Sequence, residues 1–244
     1  MDNASDRTSR ALEGRVAIVT GGSRGIGFAV AEAILVRGGK VVVTGLSQAH
    51  LDRARVKLAA DDRVEAVRAD VRRADEAARM VENAVARFGG LDILVNNAGV
   101  GRFVHAADMT IAQWHDVIDT NLSGVFHCCH AAIPHLRQRG GGWIINVSSL
   151  AGKNAFVGGA AYCASKAGLN AFSEALMQEV RYDGIRVSYV MPGSVATDFG
   201  GGLGEEPWKL TPGDVAQVVV DLLAHDSRSL PSRVEIRPSQ PPRK

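Results

Sequence analysis

The 244-residue chain is poor in cysteine, in aromatic side chains and in surplus charge. Its three cysteines, Cys128, Cys129 and Cys163, are odd in number and two are neighbours, which excludes a disulfide framework and predicts a reducing, cytoplasmic setting. Lysine and arginine number 28 against 26 for aspartate and glutamate, a formal net charge of +2. So small an excess argues against nucleic acid or a membrane surface as partner, since either would call for a basic stripe. No run of about 18 apolar residues is present to span a bilayer. The polar start from Met1 to Gly14 has no apolar segment to act as a secretion signal.

What the chain does have is a 46% hydrophobic composition laid out in a regular rhythm. Short β-branched runs (16–20, 40–44, 64–68, 92–95, 142–147, 185–190 and 233–236) alternate with amphipathic stretches at 25–37, 74–88, 111–136, 161–183 and 212–225. Continuous apolar strands separated by helices predict an α/β fold, a doubly wound, seven-stranded parallel sheet with helices on both faces. One domain over 14–237 is expected, with a flexible extension before it and a flexible tail over 238–244, where three prolines fall. The stretch Asp198–Thr211, holding Gly200, Gly201, Gly202 and Gly204, predicts a mobile loop.

Thr20-Gly21-Gly22-Ser23-Arg24-Gly25-Ile26-Gly27 follows the first strand and opens a helix. Glycines let the backbone turn tightly and approach a pyrophosphate, and a helix N-terminus supplies N–H donors and partial positive charge. Gly21, Ser23, Arg24, Gly25, Ile26 and Gly27 are therefore candidate dinucleotide ligands. The second strand ends Val43-Thr44-Gly45-Leu46-Ser47, with no carboxylate for the ribose hydroxyls of NAD. Arg24 can meet a 2′-phosphate instead, with Thr44 and Ser47 as hydrogen-bond donors, so NADP(H) is favoured over NAD(H).

Three further strings carry a family resemblance. Asn96-Asn97-Ala98-Gly99 follows the fourth strand, and Asn121 lies in the long helix after it. Ser149 precedes Tyr162 by 13 residues (162 − 149), and Tyr162 precedes Lys166 by four (166 − 162). Together with the glycine loop these resemble the short-chain dehydrogenase/reductase family over about Gly14 to Ile236, in particular its 3-oxoacyl-acyl-carrier-protein reductase-like members. The resemblance implies a substrate-binding Ser149, a catalytic Tyr162, an assisting Lys166 and a structural, proton-relaying Asn121. It also implies cofactor contacts at Asp70 and Val71, at Asn97, Ala98 and Gly99, and along Pro192-Gly193-Ser194-Val195-Ala196-Thr197, with Tyr162 and Lys166 touching the nicotinamide ribose. Leu46 departs from the pattern, standing where many NADP-using members have arginine.

The chemistry has a physical logic. A phenol titrates near pH 10, too high for an efficient acid/base at neutral pH. Lys166, one helical turn on, shares a face with Tyr162, and an ammonium there would favour the phenolate. Lowering the phenol by about three units needs roughly 4 kcal/mol, which calls for the charge of the oxidised nicotinamide beside that of one partly buried lysine. The expected reaction moves a hydride between nicotinamide and a carbonyl or alcohol.

The string His127-Cys128-Cys129-His130 resembles a metal cluster only superficially, because contiguous helix residues point around the circumference; no metal is expected. The stripe Ala160, Ala164, Ala167, Ala171 and Ala175 fits either burial within the subunit or close contact in a homodimer or homotetramer. Expected substrates are a small carbonyl compound or a 3-oxoacyl thioester. Arg137 and Arg139 offer docking points for an acidic carrier, or simply a solvated helix end. A nucleotide sensor without turnover is the rival from another class, but such proteins typically lose the tyrosine or lysine that this chain keeps.

Overall fold

Each of the seven β-branched runs forms a strand, in the order β1 (Val16–Val19), β2 (Lys40–Gly45), β3 (Val64–Arg68), β4 (Ile93–Asn96), β5 (Gly142–Val147), β6 (Ile185–Pro192) and β7 (Arg233–Ile236). All pair in parallel, in the spatial order β3-β2-β1-β4-β5-β6-β7. The structure, a computed structural model, describes residues 11–60, 62–199 and 206–242. Most of the expected N-terminal extension, the four loop glycines and the last two residues lie outside the described residues.

The central strands are buried on both faces, which is why their apolar residues run on without alternating. Helices α1 (Gly25–Val36), α2 (Gln48–Leu58) and α7 (Pro212–Leu223) cover one face, where Ile34, Leu51 and Val219 meet Val19, Val43 and Val95. Helices α3 (Ala74–Phe88), α5 (Gly124–Gln138) and α6 (Ala160–Val180) cover the other, through Met80, Leu136 and Leu169. Strand order reverses between β1 and β4, and such a switch point leaves a crevice beyond the carboxyl ends of the strands.

Two departures from the periodicity matter. The stretch 111–136 is not one helix. Helix α4 (Ile111–Ile118) passes through a π-helical turn at Asp119–Ser123 before α5 begins. Asn121 sits in that turn, its side chain gripping the backbone of Val100 in both directions: Oδ1 accepts from Val100 N at 2.8 Å and Nδ2 donates to Val100 O at 2.9 Å. A widened turn is a recurrent way of placing a functional side chain within a helix. Secondly, Gln48–Leu58 is helical although it is mostly polar and carries four charged side chains, Asp52, Arg53, Arg55 and Lys57. Ser47 caps it, accepting from His50 N, and only Leu51, Ala54 and Leu58 are buried.

Strand ends shift by one or two residues. Asp92, expected to open β4, lies just before it, almost wholly buried. Its carboxylate accepts from Val16 N at 2.9 Å and from Arg15 at 2.8 Å, and pairs with Arg139 at 3.2 Å. Those three partners outweigh the cost of burial and hold the carboxyl below its ordinary range.

Candidate active site

A cleft of about 910 Å³ follows the crevice from the end of β2 to the end of β6. At one end, the glycine loop passes so close to the β4 loop that side chains are excluded. A Cβ on Gly21, whose φ is +62°, would lie 2.9 Å from Ala98 Cα, and one on Gly27 would strike Asn97 and the Gly21 carbonyl. Thr20 Oγ1 fixes this approach by accepting from the backbone N–H groups of Asn97 and Ala98, both at 3.0 Å. Helix α1 then begins at Gly25 with no side-chain cap and no acid in its first turn. Bare N–H groups and an uncompensated dipole facing a side-chain-free cradle suit a pyrophosphate. The residues present fit a dinucleotide.

Most of the expected cofactor residues line this cleft: Gly21, Ser23, Arg24, Gly25, Ile26, Thr44, Ser47, Asp70, Val71, Asn97, Ala98, Gly99, Pro192, Gly193, Val195 and Thr197. Gly27 does not; it works from behind, as the position where backbone meets backbone. Several side chains are already committed. The Asn97 amide donates to the carbonyls of Thr20 and Gly21, at 2.9 and 3.2 Å, so it pins the loop. The Asp70 carboxylate is gripped by Arg72, which keeps it ionised to lower pH than usual. Thr44 has no exposed surface, and its hydroxyl is buried without a partner. Arg24 is solvent-exposed at the rim, 3.6 Å from Asp198. His50, which the sequence pattern did not single out, lines the same end beside Leu46.

At the other end stand Ser149, Tyr162 and Lys166. Ser149 follows β5 and caps a short 3₁₀ turn, accepting from Ala151 N at 3.1 Å, which leaves its hydroxyl proton free to donate. Tyr162 and Lys166 lie one turn apart on α6, both buried. A buried polar ladder holds this helix against the strand ends: Asn96 donates to Asn146 and Asn146 to Ser173, each at 2.8 Å. Asn121 adds a second tie through Ser165 Oγ at 3.0 Å, and Ser165 bonds back to the Tyr162 carbonyl. Neither Ser165 nor Ser173 was legible as part of the site, because serine inside a helix carries no pattern of its own.

The electrostatics differ from the expectation. Burial pushes the Tyr162 phenol above its ordinary range, and the protein group that opposes this is the Ser149 hydroxyl. The Lys166 ammonium donates to Val147 O at 2.8 Å and lies 5.9 Å from the Tyr162 ring centre. Burial lowers Lys166 itself to about 8. A lysine that pays its own desolvation and turns to a carbonyl has little left with which to acidify a phenol.

The neighbouring distractions resolve in physical terms. Cys128 and Cys129 are core residues, His127 bonds the Val71 carbonyl at 3.0 Å, and His130 is exposed beside Phe126. Arg137 and Arg139 are tied to Asp183 and Asp92. The alanine stripe on α6 faces outward, with Ala160, Ala164, Ala167, Ala171 and Ala175 all exposed, so burial within the subunit is not its role. No helix among the described residues is long and apolar enough to cross a membrane.

A glycine-lined cleft at the switch point of a doubly wound parallel sheet makes this a Rossmann-type domain. The sequence profile of the short chain dehydrogenases matches residues 15–208. The chain belongs to that family, and is an oxidoreductase acting on alcohol or carbonyl groups. It is 39% identical to a 3-oxoacyl-[acyl-carrier-protein] reductase of Synechocystis over 199 residues, 81% of each chain. An uncharacterised oxidoreductase of Mycobacterium tuberculosis is 35% identical over 229 residues, 89% of this chain and 92% of its own. Among solved structures, a metagenomic short-chain oxidoreductase in complex with NADP superposes with a TM-score of 0.83 at 37% identity, covering 94% of this chain and all of that one. An alcohol dehydrogenase from Thermococcus sibiricus complexed with 5-hydroxy-NADP gives 0.86 at 28% identity, covering 94% and 99%.

Proposed function

We propose that the protein is an NADP(H)-dependent carbonyl reductase or alcohol dehydrogenase in which Tyr162 exchanges the proton. The observation that carries this reading is the meeting of Ser149, Tyr162 and Lys166 on one wall of a cleft whose far end is the glycine cradle. When bound, the nicotinamide would supply or accept the hydride. Ser149 donates a hydrogen bond to the substrate oxygen, where charge gathers in the transition state. Tyr162 gives that oxygen its proton in the reductive direction and takes it back in the other. Its raised phenol suits the donor role: it stays protonated at neutral pH, held ready by the Ser149 hydroxyl.

Lys166 hydrogen-bonds the nicotinamide ribose. Asn121 anchors the Val100 backbone and α6 through its side chain, so any link in a proton relay runs through its main chain or neighbouring water. Asp70 and Val71 hold adenine, and 192–197 the carboxamide side. Preference for the 2′-phosphate rests on Arg24 at the rim, on Ser47 and on the absence of an acid after β2. Two NADP-complexed neighbours support it. The domain comprises 14–237, the compartment is the cytoplasm, and the outward alanine stripe packs against a second copy in a dimer or tetramer.

A second reading, reduction of 3-oxoacyl thioesters, is favoured by the relatives that carry that name. NADPH oxidation followed with a panel of ketones and 3-oxoacyl thioesters, beside NADH, tests both. Turnover with NADPH is expected, and a tenfold preference for NADH would overturn the cofactor assignment. Light scattering that returned a 25.8 kDa particle would dispose of the oligomer.

A further inference from the structure

Tyr162 stands at the border of two hollows. A second cavity of about 400 Å³ shares Ser149 and Tyr162 with the cleft. Phe156, Trp208 and Leu150 form its sides, and Pro238 and Pro241 from the end of the chain line it too. The tail leaves β7 beside this cavity: Gly193 N donates to Ile236 O at 2.8 Å, a Cβ on Gly193 would lie 3.1 Å from Pro238 Cδ, and residues 239–242 are exposed beyond it. Arg237, also in the lining, is tied at 2.7 Å to Glu235, whose carboxylate is shared with Lys153.

The chain has 13 aromatic residues in all, counting three Trp, three Tyr and seven Phe. Five of them gather here. The Tyr162 ring has Phe103 edge-on at 5.6 Å and Phe199 tilted at 5.6 Å, and Phe103 continues to Phe156 at 5.7 Å. Trp208 closes the other side of the cavity. Phe103, Phe156 and Phe199 are each 40–48% exposed, and they come from separate loops with no shared core to explain them. Rings held half in water around a proton donor are unfavourable unless something flat and apolar covers them. A long thioester arm, rich in amides and ending in phosphate, asks instead for hydrogen-bond partners and an unpaired cation along its path.

We propose that the substrate is a flat aryl ketone, bound between these rings, and that residues 237–242 form the outer wall of its pocket. The proposal deepens the carbonyl-reductase reading and rests on it. The ketone carbon takes a hydride, its oxygen takes the Tyr162 proton, and one NADPH is oxidised per secondary alcohol formed; Tyr162 regains its proton from water. Two ring contacts acting together are expected to favour an aryl substrate roughly tenfold.

The test compares 2-acetylnaphthalene, cyclohexyl methyl ketone and the N-acetylcysteamine thioester of 3-oxobutanoate, with the full chain and NADPH. The aryl ketone is expected to lead in kcat/KM by about tenfold. Phe156→Ala, and a chain ended after Arg237, should each raise its KM about fivefold or more while leaving NADPH affinity, read by nucleotide fluorescence, within twofold. Saturation-transfer NMR on Tyr162→Phe holding NADP⁺ should report bound naphthyl protons without turnover, and lose them in the shortened chain. Preference for the thioester, equal rates for all three, or unchanged KM in both variants overturns the aryl-ketone assignment alone. Turnover that survives Tyr162→Phe sinks the underlying reductase reading instead.

Discussion

The two ends of the cleft are built on opposite plans. At the glycine end, specificity is written in backbone: N–H groups at the start of α1, a carbonyl under Gly27, and Thr20 and Asn97 spending their side chains on holding main chain in place. At the tyrosine end it is written in side chains, and the rings around Tyr162 come from loops that the strands do not dictate. Backbone recognition tolerates little variation because only certain residues permit the approach. Side-chain recognition leaves the sequence free, so the same scaffold can present different pockets.

That contrast can be broken most forcefully at Tyr162, where the ends meet. Tyr162→Phe keeps the ring contacts with Phe103 and Phe199 and removes the proton. It should bind NADPH within about twofold of the native affinity while kcat falls about 10²- to 10⁴-fold. Stopped-flow turnover with fluorescence titration checks both halves. Near-native kcat would show that the proton comes from elsewhere.

The next effect belongs to the glycine end. Gly27→Ala drives a methyl group into Asn97 and the Gly21 carbonyl. Overpacking of this kind costs about 1–3 kcal/mol, so NADPH binding should weaken roughly 10- to 100-fold. Calorimetry should register that loss with no change in the relative rates among ketones. A smaller and more selective change is Arg24→Ala. Because Arg24 is exposed, its contribution to a 2′-phosphate is expected near 1.4 kcal/mol, about tenfold in NADPH KM, with NADH unaffected. Equal losses with both nucleotides would mean that Arg24 serves the loop and not the phosphate.

How much of this was legible follows the same division. The strand runs and the glycine loop announced the doubly wound parallel sheet and the cradle, since each demands residue types that stand out: β-branched runs, and glycine where φ is positive or backbones touch. Ser149, Tyr162 and Lys166 stood out only through their joint spacing. The π-helical turn at Asn121 was illegible because periodicity carries straight through 111–136, and the backbone that Asn121 grips, at Val100, is 21 residues away in sequence. Ser165 and Ser173 escaped notice for a similar reason. The aromatic collar was invisible, since Phe103, Phe156, Phe199 and Trp208 are scattered in sequence and meet only after folding. The desolvation at Tyr162 was illegible too: spacing places a lysine near a phenol but says nothing of how dry both are.

The dryness of Lys166 gives an effect on stability alone, and the most diagnostic one. Its ammonium titrates near 8 in the folded chain against an ordinary 10.5, because burial disfavours the charge. Below pH 8 the native state therefore carries the cost of a buried cation. Between pH 8 and 10.5 the unfolded chain binds more protons than the folded one, so stability rises with pH across that window. Tyr162, held above its ordinary range, stays protonated through most of it and does not mask the trend. Lys166→Met removes the titration while keeping an apolar stem. The native chain should thus gain on the variant by about 2 kcal/mol as pH goes from 8 to 10, read as a shift of several degrees in the difference of their Tm values. A difference that stays flat would mean that Lys166 reaches water, and that the tyrosine end is wetter than its packing implies.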